Sequence, residues 1–370
     1  MNRALAGLAP GDRLEVHGRD PHLAVHLPPW ARAHGHGCEG QTLIKGTAGA
    51  ARWRQAVRAG RAGGPVAERA DPAWGLAARG ALLEAGGPRL DRTDLADRAT
   101  VWAEVAPKLY AQATAGQWDP ARAIDWTAPV DNPPEVELAV VQLMTYLVEN
   151  EQAALLVPAR FVGRIHPHYR EVLQLLAVQL ADEARHVEVF TRRARLGGAE
   201  LGVSGAGGRA SLQTLLDEPD FSTATMLLTV LGEGTFLSLL SFIERHAPDP
   251  VTATVARLAL QDEARHVAFG LAHLELAVAA DPTLRDRLRA AIERRHDALA
   301  STSGLNMDVF DALVVMAAGT WSVDGIRAGW RRVQELQADM DEGRQRRMVR
   351  LGFPPAVAAA LSALHTRNFM

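Results

Sequence analysis

The sequence contains a single cysteine, Cys38, so no disulfide can form within the chain. This favours a reducing compartment, and we expect a cytoplasmic protein. The first residues lack the apolar core of a signal peptide, and no run of about 18 apolar residues is free of charged side chains, so no membrane span is expected. The formal net charge is only −3, which gives no general attraction to nucleic acid or anionic membranes.

What remains is the composition of an ordinary globular protein, with 48% hydrophobic and 22% charged residues. A length of 370 residues allows two or three domains, or one large helical domain with additions.

The first part of the chain differs in amino-acid composition from the rest. Residues 1–60 are rich in Gly, Pro and His, which predicts a small α/β segment. Its predicted elements are a strand at 14–17, a short helix at 22–34 interrupted by Pro28-Pro29, and one more strand or helix within 41–60. Residues 61–93 predict a linker around one short helix near 74–85, because glycine–proline clusters flank it.

From about residue 94 the apolar residues recur at helical spacing, so residues 94–370 are predicted to form a mainly α domain. The predicted helices lie at about 94–115, 134–157, 168–197, 221–246, 249–279, 282–299, 306–337 and 355–365. The glycine-rich stretch 197–210 follows a helix and not a strand, so it indicates a flexible connection and not a nucleotide-binding loop.

A six-residue sequence occurs twice within the predicted helices. Asp-Glu-Ala-Arg-His-Val stands at 182–187 and again at 262–267, which indicates two helix pairs related by pseudo-symmetry. Each copy contains Glu-x-x-His, and positions i and i+3 lie on one helix face. Glu183 with His186, and Glu263 with His266, share apolar faces, so each pair is a candidate metal-binding pair in the core.

Two such pairs need two further carboxylates to complete a dinuclear site. One helix upstream of each motif, Glu151 and Glu233 lie on apolar faces. Glu149 competes with Glu151, but its helical neighbours are polar. Glu244 lies too close in sequence to Glu263 to reach the same level of a bundle.

Four carboxylates would balance the charge of two divalent ions. Hard oxygen ligands with only two imidazoles favour iron or manganese over a structural zinc site. A single Glu-x-x-His would indicate ordinary helix residues. The duplicated motif with both upstream glutamates predicts a two-metal site.

The paired Asp-Glu-x-Arg-His motifs resemble those of the ferritin-like di-iron carboxylate superfamily, which includes bacterial multicomponent monooxygenases, ribonucleotide reductase small subunits and acyl desaturases. The resemblance implies a ferritin-like four-helix bundle with extra C-terminal helices. It also implies that Asp182 and Asp262 accept hydrogen bonds from the ligand histidines. Arg185 and Arg265 would pair with these aspartates, or form ordinary ion pairs on the helix surface.

Two positions concern proton transfer. The monooxygenases carry a threonine four residues after the third-helix glutamate. Here that position is Leu237, and Thr235 is out of register. A monooxygenase-type proton relay is therefore not expected at these positions. Tyr146 precedes Glu151 by five residues and is a candidate to approach the site, with a purely structural role as the alternative.

The N-terminal segment resembles small sulfur-carrier (sulfurtransferase-like) domains over 8–16, 20–21, 27–31 and 34–36. Those domains use a Cys-Pro nucleophile, which residues 1–60 lack, and Cys38 is not its counterpart. The resemblance implies a truncated domain that serves interaction or folding. His34, His36 and Cys38 lack a fourth ligand, which argues against a metal site there.

We therefore expect a non-heme di-iron oxygenase or oxidase that activates O2 and oxidises a small organic molecule. Its cofactor would be two Fe ions, or an Mn/Fe pair. No nucleotide-binding fingerprint or cysteine cluster is present, so electrons would come from an external reductant or a separate electron donor.

The alternatives are ferritin- or rubrerythrin-like handling of iron or peroxide, an RNA-modifying hydroxylase, and a non-enzymatic scaffold for sulfur delivery. The sequence does not fix the oligomeric state, and a homodimer is kept as an expectation.

Overall fold

The computed structural model describes residues 1–46, 55–300 and 307–366. The chain divides into two compact units. The first is Met1–Ala96 with His166–His168, and the second is Asp97–Ile165 with Tyr169–Met370. Residues 61–93, predicted as a linker, are grouped with the first unit.

The first unit begins with a small α/β arrangement. Its elements are α1 (Asn2–Ala6), β1 (Arg13–Glu15), α2 (Leu23–Ala33), β2 (Gly37–Glu39) and β3 (Thr42–Ile44). The three strands form an antiparallel sheet with β3 in the centre. Helix α2 continues through Pro28 and Pro29, so the predicted interruption is wrong. Proline φ angles are helical, and the buried face of Leu27 and Ala31 holds the helix in place.

The short helix predicted near 74–85 is also wrong. The chain instead makes a 3₁₀ turn at Pro72–Trp74, capped by Asp71, and ends it at Gly75 with a φ of 54°. Strand β5 (Leu82–Leu83) then pairs antiparallel with β4 (Val57–Arg58). Residues 47–54, part of the element predicted within 41–60, lie outside the described residues.

The second unit is helical in the described residues. Its helices are α3 (Ala106–Ala115), α4 (Pro120–Ala123), α5 (Pro134–Val162), α6 (Arg170–Ala194), α7 (Ala206–Leu216), α8 (Phe221–Thr225), α9 (Gly234–His246), α10 (Pro250–Ala280), α11 (Leu284–Ala300), α12 (Met307–Ala318), α13 (Val323–Arg350) and α14 (Pro355–Thr366). A π-helical segment, Met226–Glu233, joins α8 to α9 without a break.

Four helical runs form the bundle: α5, α6, the run from α8 to α9, and α10. Local signals start them. Two prolines open α5 with acidic residues in its first turn. Asp220 caps α8, and Asp249 caps α10 by accepting from the backbone N–H of Thr252 at 2.8 Å. The predicted mainly α, ferritin-like four-helix bundle is confirmed.

The additional helices surround this bundle. Helix α12 packs on α5, α13 on α9, and α14 on α13 and α11, so the predicted extra C-terminal helices are present. The buried core includes Leu143, Leu147, Phe236, Leu240, Val255, Ala259, Leu313 and Leu336.

Several helix boundaries differ from the prediction, three of them for a clear local reason. The helix predicted at 94–115 begins at Ala106, because Ala96 pairs through its backbone oxygen with Ala70 and a 3₁₀ turn follows at 98–100. The helix predicted at 306–337 is two helices, because Gly319 has a φ of 67° and Ser322 caps a new start. The connection predicted at 197–210 already contains the first turn of α7.

In the part of the chain that the structure describes, one helical run, Phe221–His246, is long and apolar enough to cross a membrane by composition, and a second would count only if the bent pair Met307–Ala318 and Val323–Arg350 were one span. The most apolar window of Phe221–His246 is 78% buried inside the protein, as expected for a central helix of a bundle.

Candidate metal centre

The structure brings together all six predicted metal ligands. Glu151 lies on α5, Glu183 and His186 on α6, Glu233 at the end of the π-helical segment, and Glu263 and His266 on α10. Each is at most 4% exposed. Four charged carboxylates in a core are costly unless cations compensate them.

The six side chains form two groups that share two members. The first group is Glu151, Glu183, His186 and Glu263, and the second is Glu183, Glu233, Glu263 and His266. Within each group the ligand atoms lie within 4.8 Å of one another. Glu183 and Glu263 belong to both groups, so they are placed to bridge two ions.

Both imidazoles present Nδ1 to the carboxylates. His186 Nδ1 lies 3.3 Å from Glu151 Oε2 and 3.3 Å from Glu263 Oε1. His266 Nδ1 lies 3.0 Å from Glu183 Oε1 and 3.5 Å from Glu263 Oε2. His186 Nδ1 also lies 3.3 Å from Glu183 Oε2, so the Nδ1 atom of each ring faces the glutamates of both motifs, and His186 has the additional contact with Glu151.

Several buried polar atoms at this centre have no hydrogen-bond partner among the described residues. Both oxygens of Glu183 and Glu263, one oxygen each of Glu151 and Glu233, and Nδ1 of His266 are buried without a hydrogen bond among the described residues. Buried polar atoms are normally paired. The unpaired set is carboxylate oxygens and imidazole nitrogen, which is the donor set that iron and manganese accept, so the residues fit two such ions.

The electrostatics of the ion-free groups agree with this. Burial raises the pKa of Glu151 well above its usual range, with Glu183 and Glu263 adding like-charge repulsion. Burial, then the Glu263 and Glu183 charges, raise the pKa of Glu233 in the same way. Without cations this centre must hold protons, so metal binding would displace them.

The two aspartates of the repeat contact the histidines across the bundle. His186 Nε2 lies 3.2 Å from Asp262 Oδ2, and His266 Nε2 lies 3.3 Å from Asp182 Oδ2. With Nδ1 facing the carboxylates, each Nε2–H donates to the aspartate of the other motif. This fixes the ring orientation, as outer partners of metal-bound histidines do.

The two arginines also reach both aspartates. Arg185 donates to Asp182 and, at 3.0 Å, to Asp262. Arg265 donates to Asp262 and, at 3.4 Å, to Asp182. Their side chains are 10% and 14% exposed, so these are partly buried charge pairs and not ordinary surface ones.

Two residues after α3 complete this layer and carried no signal in the sequence. Gln117 Nε2 donates to Asp182 Oδ1 at 2.9 Å, and Trp118 Nε1 donates to Asp262 Oδ2 at 2.8 Å. The guanidinium of Arg185 lies 4.6 Å from the Trp118 ring centre. Both residues lie outside the helices predicted from the sequence and belong to no motif, so the sequence did not mark them.

The third ligand helix shows why Thr235 and Leu237 are not at the centre. Thr235 donates to the backbone oxygen of Leu231 and accepts from Arg344, and Leu237 is half-buried. The hydroxyl of Thr229, one turn before Glu233, partly offsets the rise in the Glu233 pKa. Gln179 Nε2 lies 3.4 Å from Glu233 Oε1.

The other candidates lie as follows. Tyr146 is buried in the bundle beside Asn150 and Arg295, where burial raises its pKa, but its hydroxyl makes no hydrogen bond of good geometry. The Tyr146 hydroxyl forms no hydrogen bond with any of the six ligands. Glu149 and Glu244 are half-buried and belong to neither ligand group.

A cavity of about 30 Å³ adjoins the centre. Its walls include Glu151, Glu233 and Glu263, so a bound molecule would contact both ligand groups. The other walls are mainly apolar, formed by Ala154, Leu212, Leu215, Leu227, Leu228 and Phe236. A cavity of this size has room for two or three water-sized molecules.

No protein-family model matches the chain, and no curated protein matches it. Several solved structures do. An R2-like ligand-binding oxidase mutant with aerobically reconstituted Mn/Fe cofactor is 19% identical, over 70% of this chain and 94% of that chain, with a TM-score of 0.44. A second mutant of that oxidase, with anaerobically reconstituted Mn/Fe cofactor, is 20% identical over 65% and 93%, with a TM-score of 0.47.

A third mutant, also with anaerobically reconstituted Mn/Fe cofactor, is 19% identical over 72% of this chain and 93% of that chain, with a TM-score of 0.46. The helices and the buried centre by themselves define a ferritin-like four-helix bundle with two adjoining Glu/His groups able to hold metal ions.

Proposed function

We propose that this protein is an oxidase or oxygenase with a dinuclear iron or Mn/Fe centre that uses O2 to oxidise a small organic molecule. The observation that carries this proposal is the pair of ligand groups bridged by Glu183 and Glu263 and opening onto an apolar cavity. Two redox-active ions held together supply electrons to O2. An organic substrate would approach them from this apolar side of the centre.

The residues of the chain have separate tasks in this proposal. Glu151 with His186, and Glu233 with His266, would each contribute to the ligand set of one ion, and Glu183 and Glu263, which belong to both groups, would contribute to both. Asp182 and Asp262 hold the histidine rings through their Nε2–H groups. The apolar walls keep bulk water away from the reacting atoms.

The cavity also separates this proposal from storage of iron. A storage site needs a path for ions, which polar side chains line. Here the chamber next to the centre is walled mainly by leucine, alanine and phenylalanine. Such walls favour an organic molecule over hydrated ions.

The first test is metal content. We expect about two Fe per chain after anaerobic loading with Fe(II), and oxidation of both when O2 is admitted, followed by Mössbauer spectroscopy. Glu183→Ala should lose both ions because Glu183 belongs to both groups, while Glu149→Ala is the matched control on the neighbouring helix. A wild-type chain that binds no transition metal would refute the proposal.

The second test concerns electrons. The chain shows no redox module of its own, so a di-ferric product must be reduced from outside before a second turnover. We expect about one oxidation per centre without a reductant, and sustained oxidation with a reductase. Sustained turnover driven by NADH alone, with no other protein or flavin, would contradict the need for a separate electron donor.

A further inference from the structure

The ligand Glu233 stands at the end of a π-helical stretch. Within Met226–Glu233 the hydrogen bonds are wider than in an α-helix, and the backbone N–H of Gly234 bonds to the carbonyl of Thr229, five residues before it. Such a stretch is rare, and it holds an extra residue relative to the α-helix around it. The place of that extra residue along the helix decides in which direction Glu233 points.

A change of this place would act on one ligand group and not on the other. Each residue that the extra residue passed would rotate by about 100° around the axis, because an α-helix has 3.6 residues per turn. Glu233 would then leave the bundle face on which it joins the second group. The first group does not contain Glu233 and would keep its ligands.

A helix outside the bundle holds the π-helical segment by a charged donor. Helix α13 packs against this segment and against α9, and Arg347 Nε donates to the Val230 carbonyl at 2.9 Å. This is the one hydrogen bond that the Arg347 guanidinium makes to the described residues, and its Nη2 is buried without a partner. Burial, with the charges of Arg344 and Arg346, lowers the pKa of Arg347 to about 10, so the donor stays protonated at neutral pH. Charged donors make the stronger hydrogen bonds.

The next carbonyl of the segment is also connected to α13. Thr235 Oγ1 donates to the Leu231 carbonyl at 2.6 Å, and Arg344 Nη1 donates to the same hydroxyl at 3.4 Å. Arg344 lies one turn before Arg347, so both arginines project from the same face of α13. Two successive carbonyls of the π-helical segment thus depend on this face.

The sequence provides space for the Arg347 contact at two glycines. A Cβ at Gly234 would lie 2.5 Å from Arg347 Nε and 2.6 Å from its Cζ. Gly234 has ordinary helical angles, with φ −60° and ψ −31°, so the close approach of the guanidinium is the reason that glycine is needed there. On α13 itself, a Cβ at Gly343 would lie 3.2 Å from Arg347 Nη1. The guanidinium is therefore seated against the backbone that directly follows Glu233.

We propose that Arg347 is a positioning residue for the metal centre: by holding the Val230 carbonyl it fixes the π-helical segment, and thereby places Glu233 in the second ligand group. This role rests on the dinuclear centre of the proposed function. Arg347 makes no hydrogen bond to the six ligand side chains, so it acts through the backbone.

The test uses the full chain and breaks the contact from both sides. Arg347→Met removes the donor. Gly234→Ala places a methyl group where the guanidinium lies and leaves the charge in the chain. Arg346→Met is the matched control, because the neighbouring Arg346 is 68% exposed and pairs with Glu342.

Binding of Mn(II) is measured by isothermal titration calorimetry and by electron paramagnetic resonance. We expect two ions and a spin-coupled spectrum in the wild type and in Arg346→Met. In Arg347→Met and Gly234→Ala the second ion should bind at least about tenfold more weakly, the strength of a hydrogen bond to a charged group. The first ion should keep its affinity within about twofold, and the spectrum should become that of an isolated Mn(II) ion.

Other outcomes overturn the proposal. An unchanged affinity for the second ion in either folded variant does so, and so does an equal weakening of both ions, which would indicate general destabilisation. The double variant gives a further check. Because both substitutions break one contact, it should bind the second ion within about twofold of the weaker single variant, and additive losses would contradict the shared contact.

Hydrogen exchange of the metal-free protein separates this proposal from the proposed function. We expect the amides of 226–235 to exchange at least about tenfold faster in Arg347→Met than in the wild type, with α5 unchanged. Unchanged exchange overturns the role of Arg347. If exchange accelerates as expected but the wild type takes up no Mn(II), the hold on the segment stands and the oxidase proposal fails. If the wild type binds two ions and the variants bind them equally well, the Arg347 proposal alone fails.

Discussion

His186 of one motif and Asp262 of the other motif are partners: the ring Nε2 lies 3.2 Å from the aspartate Oδ2. The aspartate one turn from His266 in sequence therefore orients the histidine of the opposite helix, and Asp182 does the same for His266. The repeated Asp-Glu-x-Arg-His sequence is thus a reciprocal arrangement between α6 and α10. Neither motif can hold its imidazole in this orientation without the other.

This reciprocity predicts the effect of Asp262→Asn. The amide can still contact the ring but carries no charge to strengthen the His186 ligand. We expect metal affinity to fall about 10- to 100-fold with little change in thermal unfolding. Metal competition with a chromophoric chelator measures it. Asp297→Asn, at an exposed position, is the control, and equal affinities for both variants would contradict the role of Asp262.

The register of the third ligand helix gives a second prediction. Glu233 belongs to the second ligand group, and Glu244 belongs to neither group. We expect Glu233→Ala to reduce bound metal from about two ions to about one per chain, because that ion loses its own carboxylate. Glu244→Ala should leave the content unchanged. Metal analysis after gel filtration decides between them, and the reverse ranking would refute the assignment.

The bundle and the grouping of the six ligands could be predicted from the sequence, because both features depend on helical spacing. Apolar faces around Glu151 and Glu233 follow directly from a period of 3.6 residues. That six such residues bind metal stays a prediction. The division of the chain at residues 60 and 93 also stays a prediction.

Features that depend on tertiary contacts could not be predicted from the sequence. Gln117 and Trp118 contact the aspartates from a segment whose local sequence indicates only a turn. Helix α7, which supplies Ser211 and Thr214 to Arg295, begins with two glycines that argue against a helix locally. At both places tertiary packing outweighs the local sequence preference. The sequence shows no periodic pattern that would indicate these contacts.

The close approach of α10 to the π-helical segment gives a third prediction. A Cβ at Gly270 would lie 2.4 Å from Thr229 Cγ2 and 2.8 Å from Thr229 Cβ. Thr229 cannot move without shifting the turn that carries Glu233. We expect Gly270→Ala to lower the free energy of unfolding by about 1–3 kcal/mol, measured by urea denaturation.

The control for that substitution is Gly163→Ala. Nothing lies within 4 Å of a Cβ at Gly163, and its φ of −73° suits any residue. We expect this variant to be as stable as the wild type or slightly more stable. Equal destabilisation by both substitutions would show that the packing against Thr229 is not the cause.

The last prediction concerns pH and a histidine outside the metal centre. His273 on α10 is fully buried, where its Nδ1–H donates to the Trp102 backbone oxygen at 3.1 Å and its Nε2 accepts from Ser222 Oγ at 2.9 Å. Burial lowers its pKa from 6.5 to about 4. Between these values the unfolded chain binds a proton that the folded chain does not.

Stability must therefore fall as pH falls through this window, and it is fully present above pH 6.5. At ~1.4 kcal/mol per pKa unit, this one histidine costs about 2 kcal/mol between pH 7 and pH 5. His273→Gln keeps a donor and an acceptor but cannot titrate, so its free energy of unfolding should lose about 2 kcal/mol less over that interval. Urea denaturation at both pH values measures the difference, with His296→Gln as the control. If wild type and His273→Gln lose stability in parallel, His273 is not the group that titrates on unfolding.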